Sequence, residues 1–525
     1  MAVPPGGVVE QTTSLALEEK SKLKKSLRRV DMLLFTVCAM VGVDTLGQVS
    51  SFGAQTFFWI LVLSAFFLLP YAFVMSELGS GFAQEGGPYE WMKLCYGRLT
   101  AGFGAVLYWI TNPLWVGGTL CFLASAAFSQ YFIHLGGPKI GFLGHIGLAD
   151  LLFKLAFIWL SIVIAIAALE KGKWIPNFGA ICRAFVLGFF SLTVLIYAFK
   201  HGIHGFGVND FIPGRTSQSG TLIFLGVVPL LLFNYVGFEL ANAAAEEMVD
   251  PQKDVPKSVI RSAIATVIMY SIPIFGILVV LPASKIQGID GFVGAVNVVF
   301  GDVYGGAADF LVKLMVGGFI VSLITSGAVW MIGSDRVLAV ASYDGAWAPW
   351  FGKFNAKLGT PVRVNTMSGV LSTVFLLIAL NLLSGSNASS FQVILALTTS
   401  TTLLSYVMIF PTGWLLRRNL PHVHRPYRTP MMGLCVALCT GWMLLGSWAA
   451  FVPGTIERAL GFSYDYHENW GVTFARYEGI SAGIIVLIAV LTAVGYALAA
   501  PVRAQAVEYP LAHESGDAFA VPSGD

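Results

Sequence analysis

The stretch 229–256, PLLLFNYVGFELANAAAEEMVDPQKDVP, decides how this chain is read. It opens as an apolar run of membrane grade and carries Gly237 and Glu239 partway along. It closes on Glu246, Glu247 and a polar segment fenced by Pro251 and Pro256. A carboxylate inside a hydrocarbon-facing run is costly, so Glu239 marks a functional position before anything else is known.

The rest of the chain supplies the setting. Of 525 residues, 56% are hydrophobic and only 11% are charged, against about 25% charged in soluble proteins. The apolar runs are too long for barrel strands, which alternate over about ten residues. The composition therefore predicts an all-α integral membrane protein lodged in a lipid bilayer. A net charge of +2 gives no reason to expect nucleic acid. The six cysteines show no metal or disulfide spacing and read as small core residues.

At about twenty apolar residues per crossing, twelve spans are expected near 32–54, 57–78, 99–133, 148–169, 178–200, 221–245, 258–282, 306–332, 364–383, 391–416, 431–452 and 480–501. An even number puts both termini on one side. The first thirty residues end in Lys20, Lys22, Lys24, Lys25, Arg28 and Arg29, with no apolar stretch before a cleavage site. They read as a retained cytoplasmic tail. Inside loops then hold clustered cations: Lys93 and Arg98, Lys171 and Lys173, Lys253 and Lys257, Arg336 to Arg363, and Arg417 to Arg428. Outside loops hold Lys139, Lys200, Arg215, Lys285, Arg458 and Arg476, scattered singly, a bias that follows the positive-inside rule for a plasma-membrane protein. Residues 502–525 read as a disordered cytoplasmic tail. In the outer loop 453–479, Tyr464, Tyr466, His467 and Trp470 are expected at the membrane interface.

Two spans are interrupted. The first carries Gly42, Asp44, Thr45, Gly47, Gln48, Ser50 and Ser51 from its middle onward; the sixth carries Asn234, Gly237, Glu239 and Asn242. They lie five spans apart, which suggests two five-helix repeats, 31–200 and 201–416, followed by two further helices over 417–501. Glycine-broken helices in corresponding positions point to a midplane binding site in inverted-repeat transporters. Broken backbone at that depth is tolerable only where it lines a cavity.

At this point a family resemblance becomes plain. FNYVGFELANAAAEEMVDPQKDVPKSVI resembles the sixth helix and following loop of the amino acid–polyamine–organocation permeases. ELGSGFAQEGGPYEWMKLCYG (77–97), SDRVLAVASYDGAWAPWFGKFNAKLGTPVRVN (334–365) and RPYRTP (425–430) are similar to three further family motifs, in the family's order. The resemblance implies five-plus-five inverted repeats with discontinuous helices one and six. It also implies alternating access to amino acids or amines, driven by protons or exchange, without a cofactor. It places Phe233 at the aromatic gate, and sets Val41, Gly42, Val43, Asp44, Thr45, Asn234 and Gly237 around the substrate. Glu239 becomes a proton site or an anchor for the broken segments, and Glu77 and Glu85 shape the inner gate.

Two departures from the family pattern carry information. Where many amino acid permeases have a Gly-Ser-Gly cluster, this chain has Gly42, Val43, Asp44, and DTLGQVS is similar to the helix-one motif of bacterial diamine importers. Asp44 would repel an α-carboxylate and attract an ammonium group; alternatively it turns outward and only titrates, with an amino acid as substrate. Arg183, six residues after Asn177, replaces a frequent lysine where related folds place sodium. Arginine keeps its charge, so it is either a permanent stand-in for that ion or a snorkelling side chain near the inner face.

Hydroxyls at Ser322, Thr325, Ser326, Thr398, Thr399, Ser400 and Thr401, with Tyr406, are candidates for the cavity wall. Asp150–Lys154 and Asp309–Lys313 are expected as structural pairs one turn apart. The chain has no HExxH, GxSxG or Walker A lysine, so an enzyme is not expected. A non-transporting nutrient sensor on the same fold remains the alternative.

Overall fold

The computed structural model describes residues 9–20, 22, 27–140, 146–167, 174–203, 207–213, 220–286, 291–382 and 387–510. Among these, eleven helices are long and apolar enough to cross a membrane. The twelfth crossing is the first, too short to qualify because it breaks. Its helix Arg29–Met40 stops, residues 41–45 run irregularly, and helix resumes over Leu46–Ser50. The sixth crossing does the same: helix Gly220–Tyr235, a break at Val236 and Gly237, then a tight 3-10 run over Phe238–Glu247. Gly237 holds φ 130°, a region L side chains rarely enter. A Cβ there would also press on Met40 Cγ at 3.2 Å and on the Trp330 ring at 3.3 Å.

The other crossings differ from expectation at their ends. The third crossing is preceded by a helical segment from Pro88 that turns at Gly97, φ 79°, so the span itself begins near the expected 99 and runs on to Tyr131. The eighth runs Ala308–Tyr343, eleven residues beyond its expected end at 332, and is preceded by a separate helix Gly291–Tyr304. The second and third carry π-helical turns at Ser64–Leu68 and Val116–Leu120, which re-aim Tyr71 and Trp115 next to them.

Burial ranks the helices. The most apolar window of the third crossing is wholly buried, and those of the tenth and sixth are 78% and 72% buried; that of the twelfth is only 28% buried. The third, sixth and tenth therefore form the hub with the broken first, while Leu61, Val163, Phe199 and Val486 face outward where lipid would lie.

The face carrying the termini is sealed by charge. Arg336 donates to Glu85 and pairs with Glu247 at 2.8 Å, fully buried. Burial raises the Glu85 carboxyl above the usual range, with the Arg336 guanidinium acting against it. Lys20 adds a 3.0 Å pair to Glu246. Glu77 accepts from Arg417 Nε at 3.0 Å, Arg425 Nε at 3.2 Å and the Thr429 amide at 2.7 Å, tying the second crossing to the tenth and to the RPYRTP motif. Val9–Thr13 pairs antiparallel with Ala506–Pro510, so part of both expected tails is ordered as a ribbon beneath the bundle. Lys24, Lys25, Lys171, Lys173, Arg215 and residues 511–525 lie outside the described residues.

Candidate functional site

The two helix breaks expose backbone amides and carbonyls in the middle of the bundle, and tertiary contacts satisfy most of them. Two tyrosines do this in parallel. Tyr270, on the seventh crossing (Pro251–Val280), receives the Gly42 N–H at 2.8 Å and donates to Met40 O at 2.9 Å. Tyr71, on the second, receives the Gly237 and Phe238 N–H groups at 2.9 and 3.0 Å and donates to Glu239. The second and seventh crossings hold corresponding places in the two expected five-helix repeats, and each break is stitched by a tyrosine from one of them. Trp330 Nε1 adds a bond to Ala39 O at 2.9 Å.

Glu239 is fully buried. Besides Tyr71 it accepts from Tyr108 at 2.7 Å and Tyr406 at 2.5 Å, both through Oε1. Three phenols from the second, third and tenth crossings converge on it, and no cation is paired with it among the described residues. The bonds run on through Tyr71 to the backbone of the sixth-helix break. A proton arriving on Glu239 would convert one acceptor oxygen into a donor and disturb this chain.

Asp44 is also buried, 2% exposed. It sits in the first-helix break and accepts from Trp115 Nε1 at 2.9 Å. Thr45 beside it donates to Asn234 Oδ1 at 2.8 Å, joining the two broken segments. Asp44 does not turn outward to the membrane.

Arg183 resolves in favour of the interior position. Its side chain has no exposure, so it does not snorkel. Nη1 donates to Cys38 O at 2.7 Å, while Nη2 donates to Ser322 O at 2.8 Å and Ser326 Oγ at 2.5 Å. The guanidinium thus bridges the end of the first half-helix to the eighth crossing through carbonyls that would suit a bare cation. Asn177 lies apart from it and bonds to Asp31 at 2.9 Å.

Between these groups is a small cavity of about 10 Å³, lined by Tyr108, Trp115, Phe233 and Trp330 with Thr111, Thr398, Thr402 and Ser405. That volume holds about one water. Phe233 stands edge-on to Trp115, ring centres 6.1 Å apart, and Trp330 packs on Trp115 at 6.3 Å and on Tyr108 at 6.5 Å. Tyr108 and Trp115 lie seven residues apart on the third crossing, two turns or about 10 Å. Each presents its ring to the cavity and its polar hydrogen to one of the two acids. No lysine or arginine lines this cavity among the described residues.

The sequence-predicted residues are thus partly brought together. Gly42, Asp44, Thr45, Phe233, Asn234, Gly237 and Glu239 gather around the breaks, with Val41 and Val43 buried beside them. Glu77 lies apart from them, paired with Arg417 and Arg425 on the face that carries the termini. Of the hydroxyl candidates, Thr398 faces the cavity, Ser326 accepts from Arg183, and Ser322 and Ser400 bond back into their own helices at 2.8 and 2.6 Å. Both structural pairs form, Asp150–Lys154 at 2.6 Å and Asp309–Lys313 at 2.8 Å. Sequence reading missed Tyr71, Tyr108, Trp115, Tyr270 and Trp330, aromatics that in an apolar span carry no signal separating them from packing residues.

Comparison with known proteins accords with this site. A family model described as amino acid permease matches residues 27–466. A probable agmatine/putrescine antiporter of Lactococcus lactis is 28% identical over 78% of this chain and 83% of its own length. A branched-chain amino acid permease of Bacillus subtilis is 25% identical, covering 84% and 92% respectively. Among solved structures, a manganese transporter of Eremococcus coleocola aligns with TM-score 0.56 at 14% identity, over 90% of this chain and 94% of that one, a likeness of fold alone. The relatives are transporters and not enzymes, and they differ in cargo. The family match over residues 27–466 and these relatives make this a multi-pass transporter, and the chain belongs to the amino acid permease family.

Proposed function

We propose that the chain carries an organic amine lacking an α-carboxylate across the plasma membrane, coupled to a proton by symport or exchange, with both termini cytoplasmic. The observation that carries this reading is the occupancy of the helix breaks. An amino acid's carboxylate needs free amides at the first or sixth break. Here the Gly42, Gly237 and Phe238 amides are already taken by Tyr270 and Tyr71. The break instead contributes a carboxylate of its own, Asp44, beside a cavity lined by aromatic faces and hydroxyls. Such a site suits an ammonium group, which gains from both the carboxylate and the rings.

The sequence of events follows from the contacts. An amine entering past Phe233 displaces the Trp115 N–H from Asp44 and takes its place. Its charge widens the small cavity against Trp330 and Tyr108. Tyr108 is bonded to Glu239, so loading shifts the phenol cage and with it the proton on Glu239. Tyr71 passes that change to the amides of the sixth-helix break, where Gly237 gives the rotation its freedom. Arg183 holds the first half-helix to the eighth crossing throughout, as a fixed cation where sodium would otherwise be needed. The similarity to an agmatine/putrescine antiporter supports the amine; the similarity to a branched-chain amino acid permease does not.

The test is counterflow in proteoliposomes loaded with putrescine, agmatine, leucine or arginine. Putrescine or agmatine should drive uptake of labelled putrescine, with no dependence on sodium. Counterflow by leucine with none by either amine would overturn the reading.

A further inference from the structure

Opposite the face that carries the termini lies a second and much larger space. It is a vestibule of about 620 Å³, walled by the first, sixth, tenth and eleventh crossings and roofed by the loop after the eleventh. That loop was expected to lay its aromatics along the membrane interface. Instead Tyr464 and Trp470 fold back over the bundle and line the vestibule. Trp470 Nε1 donates to Tyr464 Oη at 2.6 Å, which fixes both rings. Gly454, at φ 84°, lets the loop turn in so closely that a Cβ there would lie 2.5 Å from the Tyr464 ring.

The wall carries one ionisable acid, Glu457, on the short helix Thr455–Ala459. It is 7% exposed and has no ion pair among the described residues. The neighbouring Arg458 is directed to Tyr464 O at 3.3 Å. At the floor, Thr399 is 2% exposed, lines the vestibule, and its Oγ1 has no hydrogen-bond partner. Gln48 Oε1, on the first crossing, is likewise unpartnered. A buried carboxylate without a cation and a buried hydroxyl without a partner are both costly unless something fills them. A carboxylate, two aromatic faces and neutral acceptors define a site for a cation with N–H donors.

The space also leads somewhere. Thr399 faces the vestibule while its neighbour Thr398 faces the inner cavity, and Leu230 faces the vestibule one turn from Phe233. Adjacent residues of the tenth and sixth crossings thus line the two chambers.

We propose that this vestibule is a second binding site for an organic ammonium ion, with Glu457 as counter-charge, Trp470 and Tyr464 as π faces and Thr399 Oγ1 as acceptor at the floor. A substrate held there sits next in line for the Asp44 site. The proposal rests on the amine reading of the inner cavity and adds to it a site that shares none of its residues.

The experiment is equilibrium binding of labelled putrescine to the purified full-length chain in nanodiscs. The wild type should bind two molecules per chain with distinct affinities. Glu457→Gln should weaken the looser site at least tenfold, leave the tighter one, and raise the transport KM at unchanged kcat. Thr399→Val, a near-isosteric change that leaves the acid in place, should weaken the looser site several-fold. Asp44→Asn should do the reverse, removing the tighter site and sparing the looser. One molecule bound by the wild type, or two bound unchanged by both Glu457→Gln and Thr399→Val, would overturn the vestibule site. A lost looser site with KM unaltered would overturn its place on the route. If Asp44→Asn leaves both sites intact, the inner reading fails and the vestibule stands.

Discussion

Replacing Asp44 by asparagine isolates the charge on which the amine reading depends. The exchange is nearly isosteric, and an asparagine oxygen can still accept the Trp115 N–H that now reaches Asp44 Oδ2 at 2.9 Å. The fold should therefore survive. What disappears is the carboxylate's attraction for a cationic cargo. Among the described residues no cation pairs with Asp44 by contact: Arg183 directs its nitrogens to Cys38 O, Ser322 O and Ser326 Oγ. The cargo ammonium would be its contact partner in a site 2% exposed. Removing one member of such a buried charged pair costs about 2–5 kcal/mol. Taking about 3 kcal/mol, putrescine affinity should fall about 150-fold. The assay is competition binding on the detergent-purified variant, with its thermal unfolding midpoint as the control for folding. A loss smaller than about threefold in a folded variant would refute the role of Asp44.

Three further outcomes follow from the same contacts. Tyr71→Phe leaves the Gly237 and Phe238 amides without their acceptor, at about 1–3 kcal/mol each, so the unfolding midpoint should fall and transport should slow; an unchanged midpoint would mean the amides find another partner. Glu239→Gln keeps a hydrogen-bonding side chain inside the phenol cage but cannot exchange a proton, so it should flatten the pH dependence of uptake while retaining putrescine counterflow; a pH profile like the wild type's would place the proton elsewhere. Arg183→Met removes the bridge between the first and eighth crossings, leaving two buried carbonyls and a hydroxyl exposed to no donor; uptake should drop at least tenfold, and wild-type uptake should be equal in sodium and choline buffers, a steep sodium dependence being the contrary result.

The large features were legible in the chain because lipid imposes them. A span must be about twenty apolar residues long, so composition alone set the class and the number of crossings. A glycine or carboxylate inside such a run is an exception visible by eye, and this is why Gly42, Asp44, Gly237 and Glu239 could be singled out and the two broken helices paired. Arg183 was visible for the same reason, yet its sequence position could not say whether its long side chain reached inward to carbonyls or outward to the headgroups. That choice depends on where the eighth crossing lies, which is a tertiary matter.

The aromatic half of the site was hidden for a different reason. Tyr71, Tyr108, Trp115, Tyr270 and Trp330 are ordinary residues for an apolar span. Their roles arise only when helices distant in sequence bring a phenol or indole hydrogen to an acid or a broken turn; Tyr71 lies 168 residues from Glu239 and Tyr270 lies 228 from Gly42. The outer loop shows the same limit from the other side. Tyr464 and Trp470 were read as interfacial because aromatics usually are, but packing against Gly454 turned them over the bundle's mouth. By itself the sequence determined that the chain crosses a membrane twelve times, breaks two helices and buries two acids, since the bilayer charges a high free energy for each exception. Only the tertiary structure decided that the Gly42, Gly237 and Phe238 amides are already occupied, that Asp44 bonds to Trp115 beside an aromatic cavity and that Glu457 has no ion pair among the described residues, because satisfied and unsatisfied groups differ by contacts no local pattern records.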